Sequence, residues 1–245
     1  MSAFLDQYEI RARLFPALLS VVTLPAVVIT LGFRDYPLVT GLLALFSAVG
    51  GPFLLATLVG ERGRRLQERL FRDWGGPPTV ALLRLGDQGQ ADPKRLQRRT
   101  KLAEAWANAL PSRDDELKNP AAADQAYESA ISYLRERTRD RKAFPLVFTE
   151  NCNYGFHRNL MAVRPLAIIV SAFASFALVA VILANWWALD FPWTDLAIGF
   201  IICLAVVGFW WAFPTERRVR AAAEIYAVRL LDSALILPPS PAPLP

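Results

Sequence analysis

Residues 36–65 read YPLVTGLLALFSAVGGPFLLATLVGERGRR. The stretch from Tyr36 to Gly60 has no ionisable side chain. At about 1.5 Å per residue, a helix of that length crosses the ~30 Å hydrocarbon core of a bilayer. Glu61-Arg62-Gly63-Arg64-Arg65 follows at once, and short positive segments resist translocation. The sequence therefore predicts a transmembrane helix with its far end in the cytoplasm.

Three further runs lack Asp, Glu, Lys, Arg and His: Leu14–Phe33, Pro165–Leu189 and Leu196–Thr215. One such run could be a buried helix of a soluble core, but four in two close pairs read as two membrane hairpins. Of the 27 Lys and Arg residues, only Arg34 falls in the short connections, Arg34-Asp35 and Asp190–Asp195. That asymmetry places both termini and the long middle loop in the cytoplasm, so the net charge of +5 mainly reports topology. The expectation is an all-α integral membrane protein, of bacterial inner-membrane type. It has an interfacial segment (1–13), hairpin one (14–33 and 36–60) and a cytosolic helical domain (61–164). Hairpin two (165–189 and 196–215) and a cytosolic amphipathic helix with a Pro-rich tail (216–245) complete it. No cleavable signal peptide is expected, because the first run is too long for a signal core. Cys152 and Cys203 fall in different environments, so no disulfide is expected.

Within the spans, Gly41, Ala44, Ala48 and Gly51 recur every three or four residues, a spacing that lets helices approach closely in lipid. Gly50-Gly51-Pro52 should interrupt that helix. Pro25 removes a backbone hydrogen bond in span one, and Thr23 is a candidate to repair the loss. Ser171, Ala174 and Ser175, then Gly199, Cys203 and Val207, promise similar packing. Trp186, Trp187 and Trp193 at one end and Trp210 and Trp211 at the other read as interfacial anchors.

The cytosolic part starts with Arg62, Arg65, Arg69 and Arg72 at helical spacing. Trp74-Gly75-Gly76-Pro77-Pro78 then stops the helix, with Thr79 as a candidate cap for the next run. This Gly-rich turn lacks P-loop spacing, yet Trp74, Gly75 and Gly76 remain candidate ligand contacts. Asp92-Pro93 and Asn119-Pro120 announce helix starts, and Ser112–Asp115 has capping-box spacing. A helix from Pro93 to Leu110 should turn Leu96, Ala103, Trp106 and Leu110 inward. Its Arg95, Arg98 and Arg99 would join the first basic stripe in contacting anionic lipid or a small anionic ligand. Ala123, Tyr127, Ile131 and Leu134 mark the apolar face of the following helix.

The segment FPLVFTENCNYGFHRNLMAVRP (144–165) concentrates polar groups among aromatics. Glu150, Asn151, Tyr154, His157 and Arg158 form a candidate regulatory site or a polar joint between the cytosolic part and the spans. A lone Cys152 and a lone His157 are too few for structural zinc, and neither metal nor cofactor is expected. A Cys–His nucleophile sharing a helix face is an alternative.

None of the four runs has an ionisable group, which argues against ion-coupled transport. The leading expectation is a non-enzymatic, homo-oligomeric membrane protein whose cytosolic helices bind a partner or signal. Its partners would be the bilayer, anionic headgroups and an unknown cytosolic protein or small anion, with nucleic acid disfavoured. The first alternative is a gated pore or membrane-perturbing effector lined by Thr23, Thr30, Thr40 and Ser47. The second is a membrane-bound enzyme working near Glu150, Cys152 and His157.

Overall fold

The Gly75-Gly76 pair and four proline-led helix starts punctuate the chain in the computed structural model, which describes residues 6–32, 37–38, 41, 45–46, 50–86, 92–187, 189 and 191–238. Those residues are predominantly helical, with no strand among them. Helix α1 runs Gln7–Thr30. Helices α2 (Gly51–Asp73), α3 (Pro78–Ala81), α4 (Pro93–Trp106), α5 (Arg113–Lys118) and α6 (Pro120–Arg137) follow. Then come α7 (Pro145–Asn185), α8 (Trp193–Ala212) and α9 (Glu216–Ser233). Three of these, α1, α7 and α8, are long and apolar enough to cross a membrane. Part of the expected span at 36–60, including Thr40, Ala44, Ser47 and Ala48, lies outside the described residues, as does the tail from 239.

The chain divides into two compact units. The first combines Met1–Gln67 with Gly155–Val219, and the second Glu68–Tyr154 with Arg220–Pro245.

In the first unit, α7 turns Leu160, Val163, Ala167, Ser171, Ala174 and Leu178 inward at three- and four-residue intervals. Phe173 and Phe176 on its other faces are 70% and 72% exposed. So much apolar surface in water would be heavily unfavourable, whereas hydrocarbon accepts it without cost. Pro25 acts as anticipated. It cannot donate to Val21, and α1 breaks at Val22, whose N–H reaches only Leu19 O at 3.5 Å. Thr23 does not repair this, because its hydroxyl meets the Ser171 hydroxyl at 3.4 Å. Thr30 returns its own hydroxyl to Ala26 O and packs on Gly199, where a Cβ would strike it. Both threonines are thus used in helix packing.

One refinement concerns Pro165, which lies inside α7: that helix is continuous from Pro145 and extends well before the expected third span. Just before that proline, Arg164 donates to Trp211 O (3.0 Å) and Pro214 O (3.3 Å), tying α7 to the end of α8. Asn185 closes the α7–α8 connection reciprocally: its Nδ2 donates to Phe191 O and its Oδ1 accepts the Phe191 N–H at 2.7 Å. Trp210 is a correction, being fully buried against Val59, Leu160 and Ala167 rather than at an interface.

In the second unit the core gathers Leu83, Leu102, Tyr127, Ile131, Leu134, Leu230 and Leu231. Each fully buried Leu or Ile contributes about 1.5–3 kcal/mol, enough for a core independent of lipid. The face Ala123, Tyr127, Ile131 and Leu134 is buried as its spacing required. The α4 face is rotated from expectation, since Arg99, Leu102 and Ala105 are buried while Leu96 is 41% exposed. Helix α4 also ends earlier than Leu110. Ala107 takes a left-handed φ of 58°, and Asn108 Nδ2 donates to Trp106 O.

Candidate functional site

The polar residues 150–159 are all on α7, yet they divide between the two units. Glu150, Asn151, Cys152 and Tyr154 belong to the second, and His157, Arg158 and Asn159 to the first. Glu150 accepts from Asn153 Nδ2 at 3.3 Å. The Tyr154 ring stacks on Tyr226, with centroids 6.2 Å apart. Cys152 is buried, and five residues of helix put it about 140° round the axis from His157. The two therefore do not share a helix face, and no nucleophile–base pair is assembled from them.

His157 stacks on Phe213 at 6.0 Å and meets Phe156 edge-on. Phe213 also meets the Arg218 guanidinium, 4.3 Å from the ring centre, and stacks on Phe209. Burial, and then the nearby Arg218 charge, push the His157 imidazole below its ordinary range. Arg158 and Asn159 are buried. Arg158 donates to Gln67 Oε1 at 2.5 Å and to Asn159 Oδ1 at 3.2 Å, and Asn159 Nδ2 donates to Ala12 O at 2.6 Å. Three helices meet around this pair only because glycines make room. A Cβ on Gly63 would run into Asn159, and one on Gly155 would sit 2.9 Å from the Tyr8 hydroxyl. Arg158 and Asn159 therefore tie α1, α2 and α7 together inside the first unit.

The glycine turn after α2 serves the helix end. Gly76 N–H bonds Phe71 O at 2.7 Å and Gly75 N–H bonds Arg72 O at 3.2 Å, a Schellman pattern with φ of +75° and +125° at the two glycines. Gly75 O accepts from Arg84 Nη1, and Trp74 faces the Arg220 guanidinium at 5.7 Å. Thr79 is buried inside α3 and does not cap it, because Pro77 holds the N-cap and Pro78 opens the first turn.

The basic residues separate into two classes. Arg99, expected at a lipid or ligand contact, is 8% exposed and points into the second unit. Its guanidinium donates to Leu83 O, to Tyr127 Oη at 2.7 Å and to Pro111 O at 2.5 Å. Glu116 completes the group, accepting from Tyr127 Oη at 2.5 Å and from the Leu85 and Gly86 N–H groups. Burial and the Glu116 carboxylate raise the Tyr127 phenol to about 12. Arg98 pairs with Asp232 at 2.7 Å, and Arg95 donates to Arg84 O. Arg84 clamps Asp124 through two donors at 2.7 and 2.5 Å, and that carboxylate raises its pKa further. These contacts correct the reading of the α4 arginines, whose charges are spent inside the unit. By contrast Arg62, Arg65, Arg69 and Arg72 on α2 are all exposed.

Unlike Thr79, the caps read at Asp92, Ser112 and Asn119 form. Asp92 accepts from the Lys94 and Arg95 N–H groups, Ser112 and Asp115 make a capping box, and Asn119 accepts from Ala122 N–H. They hold α4, α5 and α6 around a cleft of about 350 Å³ lined by Leu110, Pro111, Asp115, Lys118 and Ala122. Sequence reasoning missed this cleft; the only signal was the run of alanines at 121–123 beside Asn119-Pro120. Among the described residues, no three His, Cys, Asp or Glu side chains come together to hold a metal ion. The helix-packing candidates differ. Gly41 has open space where a Cβ would stand, while a Cβ on Gly51 would meet Phe46. No protein-family model, curated protein or solved structure matches the chain.

Proposed function

We propose that the chain is a non-enzymatic, oligomeric integral membrane protein whose second unit binds a protein partner in the cytoplasm. The observation that carries this reading is the cleft between α5 and α6. It has an apolar floor of Leu110, Pro111 and Ala122, with Asp115 and Lys118 on its rim. Its volume falls in the range that accepts a side chain or short segment, and rim charges of both signs favour a peptide over a simple anion. The polar network of Arg99, Tyr127 and Glu116 supports it by fixing Pro111 and α5, so the cleft is held open before binding. The lysine and arginine distribution supports the cytoplasmic orientation. Gly41 and Gly208, exposed on their helices with nothing near, support association of copies through close helix approach.

The test is photo-crosslinking from residue 122 in the full-length chain in its native membrane. A discrete adduct lost in Lys118→Glu and retained in Leu146→Ser supports the reading. Crosslinks that ignore Lys118→Glu would refute it. Impermeant maleimide labelling of Leu117→Cys, at a position 70% exposed, checks orientation, with protection expected in intact cells.

A further inference from the structure

Helix α2 carries one face that runs unbroken from apolar to cationic. Leu54, Leu58, Arg62, Arg65, Arg69 and Arg72 follow each other at intervals of four, four, three, four and three residues. At 100° per residue they occupy an arc of about 80°, roughly opposite Ala56, Val59, Gly63 and Leu70 on the buried side. Leu54 and Leu58 are 60% and 57% exposed. The four arginines are exposed too, and none of them joins an ion pair with Glu61, Glu68 or Asp73 on the same helix. Arginines such as Arg13, Arg84, Arg98 and Arg220 are by contrast paired, with Glu9, Asp124, Asp232 and Glu224. What sets the α2 row apart is that four exposed arginines share one face and continue the exposed apolar surface of Leu54 and Leu58.

We infer that this ridge is a binding site for an anionic phospholipid, its acyl chain along Leu54 and Leu58 and its phosphate between Arg62 and Arg65. The inference rests on the membrane placement proposed above, but not on the partner cleft. Distance along the axis assigns the roles. Measured from Gly60, Arg62 lies about 3 Å and Arg65 about 7–8 Å beyond the last apolar turn, inside a headgroup layer of roughly 5–8 Å. Arg69 and Arg72 lie about 13 and 18 Å out, roughly 8 and 13 Å from a phosphate held between the inner pair, at about a Debye length and beyond it when the helix is upright. Guanidinium groups match phosphate through paired donors, and two of them within the headgroup layer favour a phosphate monoanion over a zwitterionic headgroup. The stripe is too short and too close to the bilayer to favour nucleic acid.

The test uses the full-length chain in neutral detergent micelles, with native mass spectrometry against phosphatidylglycerol, phosphatidylcholine and glycerol phosphate. Phosphatidylglycerol should remain bound at least tenfold more than phosphatidylcholine. Arg62→Gln/Arg65→Gln should abolish that preference, and Leu54→Ser/Leu58→Ser should weaken it. Arg69→Gln/Arg72→Gln should change it less than threefold. Equal retention of the two lipids, or a preference that survives Arg62→Gln/Arg65→Gln, would overturn the inference. So would displacement by glycerol phosphate alone, or a larger effect from the outer pair, which would assign the row to a soluble polyanion. Retained circular dichroism shows that each variant is folded. Equal retention of the two lipids by the unsubstituted chain, with the residue-122 crosslink intact, removes this inference and leaves the partner reading standing.

Discussion

Replacing Arg99 with methionine keeps the long apolar stem and removes every donor from the centre of the second unit. Leu83 O, Pro111 O and Tyr127 Oη then lose a partner, and the Glu116 carboxylate loses a guanidinium nitrogen 4.0 Å away. A buried carbonyl left unpaired costs about 1–3 kcal/mol, and breaking one side of a buried charge pair about 3–5 kcal/mol. These losses share the same atoms and do not add, so Arg99→Met is expected to cost about 3–5 kcal/mol in total. At ~1.4 kcal/mol per decade, local opening becomes more frequent by between about two and four powers of ten. Hydrogen exchange of the full-length chain in lipid nanodiscs reads this directly, as faster exchange across α6 with α8 unchanged. Arg99→Lys should recover part of the protection, since an ammonium keeps the charge but not the three-way fork. An acceleration across α6 below tenfold would refute the assignment of Arg99 as the keystone of this unit.

Glycine substitutions should split by location. Gly199→Ala drives a Cβ onto Thr30 and should cost roughly 1–3 kcal/mol, whereas Gly208→Ala meets nothing and should gain up to about 1 kcal/mol in detergent unfolding. Gly76→Ala forces a side chain to φ +125° with Arg84 Nη2 at 3.1 Å, and should lose roughly 1–3 kcal/mol in the same assay. Because the folded imidazole of His157 is held below 6.5, stability should be full above about pH 6.5 and fall as pH drops from there to the lowered folded value. His157→Phe should flatten that slope in unfolding measured from pH 8 to 5. Tyr127 works in the opposite direction. Its raised phenol contributes stability below pH 10 that is lost as pH climbs towards about 12, and Tyr127→Phe should remove this alkaline limb.

Helix limits were legible wherever one residue dictates backbone geometry. Asp92, Ser112, Asn119, Gly75 and Gly76 act through their own dihedrals and short-range hydrogen bonds, so sequence spacing suffices. Burial inside the second unit was harder to read, because Arg99 looks like a surface residue until Leu83 O, Pro111 O and Glu116 surround it. The same holds for Trp210, whose position two residues from Ala212 suggests an interface while its packing depends on α1, α2 and α7. The length of α7 was hard to read for a third reason, since a proline such as Pro165 is tolerated within a helix whose neighbours, here α8 through Arg164, support it. For residues 150–159 the composition was informative and the grouping was not, since helical phase separates side chains that are adjacent in sequence.

The indole of Trp210 gives the first unit an optical reporter. Its Nε1 has no hydrogen-bond partner among the described residues and its ring is fully buried in an apolar cluster with Val59, Leu160 and Ala167, which limits relaxation of its excited state by water. It should emit at the blue edge of the protein's fluorescence and resist aqueous quenchers, whereas Trp186, Trp187 and Trp211 protrude from their helices. Any event that parts α2 from α7 near Val59 and Leu160 should shift that emission to the red, with no label attached.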